Sequence, residues 1–220
     1  MKYLLSPYNY DLSDPTSIPY LLLQHLYLVG LTMLISLIIA IPIGIYVARN
    51  RWLYTPVITF TGVLYSIPGI ALLALLITIP AIGLSLATIM IPLVAYTQLV
   101  LIRNTAAAVN NIDPLLLEVG RAMGMNRWQL LRRVTLPLAL PVIIAGVRIA
   151  TVTTVGTASL ASLVDQGGLG DLIFKNLTSG DQQAIIAGAI LMSLFAVVAD
   201  ILLLGIQVLL SRGRSATSIA

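Results

Sequence analysis

Two ionisable residues, Arg148 and Asp200, lie inside otherwise uncharged apolar stretches. A charge within a bilayer is costly, so it pairs or faces water. Arg148 stands about ten residues into one stretch and Asp200 about ten from the end of the next, so at about 1.5 Å per residue their depths match. Two readings follow. The residues form an ion pair locking two helices together, or Arg148 faces a pathway that Thr151, Ser159 and Ser162 continue at roughly helical spacing. Other chemistry is scarce. There is no cysteine, and the single histidine, His25, cannot build a metal centre alone. A phosphate-binding loop needs Gly-x(4)-Gly-Lys-Ser/Thr. The only lysines are Lys2 and Lys175, and the second sits in Phe-Lys-Asn. ATP hydrolysis by this chain is therefore not expected, and no catalytic constellation is visible.

One polar stretch interrupts the chain, EVGRAMGMNRWQLLRRVTLP at 118–137. It holds Arg121, Arg127, Arg132 and Arg133, four of the twelve basic residues. Asp113-Pro114 reads as an N-cap followed by proline at the first helical position. A helix is expected over Leu115–Met123 with Gly124 as its stop. A second short helix, capped by Asn126, should run from Arg127 until Pro137 opens the next apolar span. Leu115, Leu116, Val119, Ala122 and Met123 give the first helix an apolar side. That side could rest on lipid or bind a partner.

These residues must be positioned by membrane helices. The chain has 220 residues, 59% hydrophobic and 9% charged, against roughly 25% charged in soluble domains. An all-α integral membrane fold with about five spans is expected. Leu21–Ala48 is uncharged and suits one span of a core about 30 Å thick. The uncharged run from Trp52 to Ile102 is too long for one span and should turn at Pro80-Ala81-Ile82-Gly83. The fourth span is Leu136–Leu163 and the fifth about Ala184–Leu210, joined by a loop over 164–183. Pro42 and Gly44 are expected to kink the first span. Residues 1–19 read as an extramembrane tail rather than a signal peptide, because Ser6-Pro7 cuts the apolar run short. The permease domain then covers 20–211, its polar loop 103–135, and a tail 212–220. With five spans Arg49, Arg51, Arg103, Arg121, Arg127, Arg132, Arg133, Arg212 and Arg214 share one side. The positive-inside rule makes that side cytoplasmic, so the topology is N-out, C-in.

The polar stretch resembles the EAA loop of ABC importer permeases. That pattern is Glu-Ala-Ala, three residues, Gly, nine residues, a β-branched or similar apolar residue, one residue, Leu-Pro. Glu118, Gly124, Val134 and Leu136-Pro137 match in register, while Val119 and Gly120 replace the two alanines. The resemblance implies that Leu115, Leu116, Glu118, Val119, Gly120, Ala122, Met123 and Gly124 form a coupling helix docking on a separate cytoplasmic ATPase. ATP and magnesium would act there, with no cofactor in this chain. "YSIPGIALLALL" (65–76), "GVRIATVTTVGTASLA" (146–161) and "GGLG" (167–170) look like the osmoprotectant uptake group, importers of glycine betaine, carnitine or choline. Methionine-type permeases share the loop and a GGLG-like segment. The resemblance further implies two ATPase chains, a second permease chain, identical or related, an extracytoplasmic substrate-binding protein, and alternating access in a bacterial inner membrane.

Tyr65, Tyr96, Thr151, Thr154 and Ser159 are candidates for lining the path, or for helix packing. Gly167, Gly168 and Gly170 read as a tight external turn, near the docked binding protein or simply connecting. His25 reads as a packing residue. Rival functions are a proton-coupled transporter using Asp200, an ion channel and a membrane enzyme. No inverted repeat, carbonyl filter or charge ring is evident for them.

Overall fold

The structure, a computed structural model, describes residues 2–11 and 13–212. The tail expected over 212–220 lies, from residue 213, outside the described residues. Every regular element described is helical. One turn, α1 (Lys2–Leu5), precedes the long α2 (Ile18–Ala48). Then come α3 (Arg51–Ser66), α4 (Gly69–Ile77), α5 (Leu86–Asn110), α6 (Pro114–Ala122), α7 (Arg127–Leu130), α8 (Leu136–Ala158), α9 (Asp171–Ser179) and α10 (Gln182–Arg212). α2, α5, the continuous stretch Arg127–Val164 and α10 are each long and apolar enough to cross a membrane. α3 and α4 are long and apolar enough only together, as a pair bent by 83° that makes a broken fifth span or a re-entrant loop.

That bend departs from the straight helix expected between Trp52 and the turn near Pro80. Its cause is Pro68, which lacks a donor and disfavours helical geometry in its predecessor. Ile67 is extended, at φ −72° and ψ 126°. The turn itself forms where expected, with Gly83 at φ +52° and Ser85 and Thr88 closing a capping box at the start of α5.

α5 is the central post, with α2 on one side and α8 on the other. Small residues set these crossings, as membrane packing requires. A Cβ on Gly44 of α2 would stand 2.6 Å from Thr105 Cβ, and one on Gly146 of α8 2.5 Å from Asn104 Cβ. Pro42 lies inside α2 without ending it. Their shared core includes Leu28, Ile89, Leu101, Ala150 and Val155.

Three boundaries are corrected. α5 runs to Asn110, so 103–110 belong to a span rather than to the polar loop. Asn104, Ala106, Ala107 and Ala108 tolerate helix, and Ala106 and Ala108 are buried. The second loop helix is not separate: α7 continues through a wide π-helical turn, Leu131–Thr135, into α8. Pro137 falls at an early position of α8, where its missing N–H costs little. The 164–183 connection contains α9, whose Leu172 packs with Leu169, Ile18 and Leu21. Tyr3 and Leu4 join that cluster, so the N-terminal segment folds onto the end of the bundle. Lys175 of α9 binds Asp171 at 2.7 Å and Asp165 at 3.3 Å. The hydrogen bond to Asp171 is the main reason its ammonium pKa lies above the ordinary lysine value.

The GGLG turn is structural. Gly167 and Gly168 have φ +71° and +86°, and all four residues are buried. The Gly168 N–H donates to Gln24 Oε1 at 3.0 Å. A Cβ there would meet His25 Nδ1 at 3.0 Å. His25 is itself fully buried. Its Nε2 lies 3.1 Å from the Val155 carbonyl, so that nitrogen carries the proton, and its ring meets Phe195 edge-on at 5.6 Å. Gly168→Ala combines a left-handed backbone with a tight contact, a strain of about 1–3 kcal/mol. It is expected to lower the aggregation temperature of the detergent-solubilised protein. Gly205→Ala, which meets nothing within 4 Å, should leave it unchanged.

Candidate functional site

α6 is built to be rigid and to present one face outward. The Asp113 carboxylate accepts from the Leu115 N–H at 2.9 Å, closing its start. At its end Met125 N–H donates to the Gly120 carbonyl (3.1 Å) and Gly124 N–H to Arg121 (2.9 Å). With Gly124 at φ +79° this is a Schellman stop. Gly120 is buried, and a Cβ there would meet Leu130 Cδ1 at 2.6 Å. Its lack of a side chain thus seats α6 on α7. Leu117 packs toward Ala108, Val109 and Ile143. The other side is bare: Leu115, Leu116, Val119 and Met123 are 61, 45, 49 and 72% exposed, with Glu118 and Ala122 also exposed beside them. A nine-residue helix held at both ends with an uncovered apolar stripe suits docking against another surface. Gly124 acts through its backbone angle, since nothing approaches within 4 Å of it.

A second feature is the cleft at the broken span. The Tyr96 hydroxyl donates to the Ile67 carbonyl at 2.8 Å, occupying an acceptor that the Pro68 break leaves free. The Tyr65 and Tyr96 rings meet edge to face, 5.9 Å apart at 73°. Tyr65 is 48% exposed and borders a cleft of about 440 Å³ that runs along α5 past Leu99, Val100, Arg103, Asn104 and Ala107.

Thr151 and Thr154 do not line an open surface. They are buried, their hydroxyls donating to the Val147 and Ala150 carbonyls at 2.8 and 2.7 Å, with Thr154 also 3.3 Å from Thr97 Oγ1. They fall on the face of α8 turned toward α2 and α5, where they pack between helices. Ser159 is half-buried and donates to the Gly156 carbonyl. The open face of α8 is instead Ile149, Val152, Thr153 and Gly156, which spacing alone could not separate from its neighbour one residue on. Gly167, Gly168 and Gly170 offer no docking surface either. Packing against Gln24, His25 and Ser159 buries them.

Arg148 and Asp200 form a two-pronged ion pair. Nε donates to Oδ1 and Nη2 to Oδ2, both at 2.8 Å, while Nη1 donates to Gln207 Oε1 at 3.0 Å. This commits Arg148 to α10, and a pathway-facing guanidinium does not fit that geometry. Gln207 escaped sequence reasoning. Its position seven residues after Asp200, two helical turns on the same face, was the available signal.

Over residues 40–215 the sequence matches the family described as binding-protein-dependent transport system inner membrane component. It is 37% identical over 206 residues to the osmoprotectant import permease protein OsmW of Salmonella typhimurium, covering 92% of this chain and 96% of that protein. It is 40% identical over 181 residues to the glycine betaine/carnitine/choline transport system permease protein OpuCD of Bacillus subtilis, covering 82% and 78%. Among solved structures, it resembles a chain of the MetNI methionine ABC transporter in inward-facing conformations. That match has a TM-score of 0.77 at 26% identity and covers 88% of this chain and 99% of the other.

Proposed function

The chain belongs to the family of binding-protein-dependent transport system inner membrane components, and from that premise we propose that it is the permease of an ATP-driven ABC importer for quaternary-amine osmoprotectants such as glycine betaine, carnitine or choline. The observation that carries the coupling part is the bare apolar stripe of α6, held rigid at both ends, on the arginine-rich end of the bundle. That end is cytoplasmic by the positive-inside rule, which gives N-out, C-in. α6 docks into a separate ATPase that binds ATP and magnesium, and two such ATPases serve two permease chains, identical or related. An extracytoplasmic binding protein delivers substrate, its aromatic rings suited to hold a trimethylammonium group. ATP binding displaces α6 as a rigid body, and the bundle alternates its access.

The substrate class rests on the names of the relatives, at 37 and 40% identity, which outweigh the methionine transporter's 26%. It is tested by uptake of labelled glycine betaine in cells expressing the full transporter. Excess carnitine and choline should suppress uptake and excess methionine should not. Methionine uptake in place of glycine betaine would assign the chain to the methionine-type permeases.

A further inference from the structure

Arg103 lies within α5 rather than in the polar loop. The extension of α5 to Asn110 lifts it seven residues above the end of the helix, about 10 Å at the rise of an α-helix. An arginine on a membrane helix is usually paired with a carboxylate or set against a water-filled cavity. Arg148 has the partner. Among the described residues no carboxylate lies within ion-pair distance of Arg103, and its side chain is exposed in the cleft shared with Tyr65 and Asn104. Asn104 is fixed: its Nδ2 donates to the Val100 carbonyl at 2.8 Å, and its stem packs against Gly146. Its amide oxygen accepts no side-chain hydrogen bond from Arg103. Among the described residues the guanidinium is therefore a cation without a carboxylate partner, beside a cleft that the exposed Tyr65 also borders.

We propose that this cleft is a transient station for zwitterionic quaternary amines, in which Arg103 reads the substrate carboxylate and the ring of Tyr65 faces the trimethylammonium group. A guanidinium presents a planar fork of donors matched to a carboxylate, and a tyrosine face attracts a quaternary cation. The two groups of glycine betaine or carnitine thus meet opposite partners along one wall. Choline has the cation and lacks the carboxylate, so Arg103 separates the two kinds of substrate. The inference rests on the quaternary-amine reading above and adds a determinant of specificity within it.

The test is uptake of labelled glycine betaine and of labelled choline by the full transporter carrying wild type, Arg103→Gln or Arg103→Lys, normalised to permease in the membrane. Arg103→Gln is expected to lower glycine betaine uptake about tenfold, the loss of one charge-assisted contact, with choline uptake kept within about twofold. Arg103→Lys should recover part of the glycine betaine uptake. Equal loss of both substrates, or no loss, overturns the proposal. A wild type that carries choline alone also overturns it, since there is then no carboxylate to read. Should wild type carry glycine betaine alone, recovery by lysine but not glutamine supports the station, and lysine no better than glutamine overturns it. A wild type that carries neither overturns the underlying quaternary-amine reading and this proposal with it.

Discussion

Val119→Glu should abolish transport while leaving the permease folded in the membrane. Val119 lies mid-stripe on α6, half exposed, between Leu115 and Leu116 on one side and Met123 on the other. The described residues leave about half of it uncovered, so a carboxylate there costs the isolated permease little. At the centre of a docked interface the same carboxylate would be buried without a partner. Central contacts of that kind cost about 2 kcal/mol or more, roughly thirtyfold in affinity. Labelled uptake should fall to background and the ATPase should no longer co-purify, with permease abundance unchanged. Gly120→Leu should give the same loss from the opposite side. Its side chain must displace Leu130, already 2.6 Å from a bare Cβ, and so tilts α6 off its seat. Normal uptake by Val119→Glu would mean that α6 rests on lipid.

The second large effect is expected at the ion pair. Arg148→Leu and Asp200→Leu each leave a charge in the membrane without its counter-charge, Arg148 keeping only the neutral Gln207, and each should sharply reduce permease abundance. The double variant Arg148→Leu/Asp200→Leu should recover most of that abundance, because an apolar pair of similar volume removes both the attraction and the desolvation cost. Gln207→Leu, which removes only the 3.0 Å contact to Nη1, should have a minor effect. Immunoblotting of membranes gives the ordering. A double variant that is abundant yet transport-dead would show that the pair serves the transport cycle rather than the fold.

The parts of the molecule legible in the sequence are those fixed by local chemistry. Asp113-Pro114 and Asn126 announced the starts of α6 and α7, and each makes its cap through its own side chain. Gly124 announced the stop because few other residues tolerate its backbone angle. Hydropathy located the spans, since a bilayer demands about 20 apolar residues of each. Pro68 carried the signal for the broken span, but the steady hydropathy of residues 52–79 hid it. What was not legible depends on facing. Thr151 and Thr153 look alike in sequence, yet one is buried in the bundle and the other exposed. The GGLG turn reads as a surface loop because glycines are common there; its burial depends on Gln24 and His25, more than 140 residues earlier for the bonded pair Gln24 and Gly168. Arg103 looked like the start of a polar loop because charge usually marks the end of a span. The Ala-rich helix that follows it carries the span further.

The central claim, ATP-driven import of quaternary amines through this chain, is tested most directly in liposomes. The assembled permease–ATPase complex would be reconstituted and supplied with its binding protein and labelled glycine betaine on the importing side. Accumulation that requires ATP and magnesium on the α6 side, and that ignores a pH gradient, is the predicted result. Accumulation driven by a pH gradient without ATP, and lost on removal of Asp200, would contradict the account and make the chain a proton-coupled carrier.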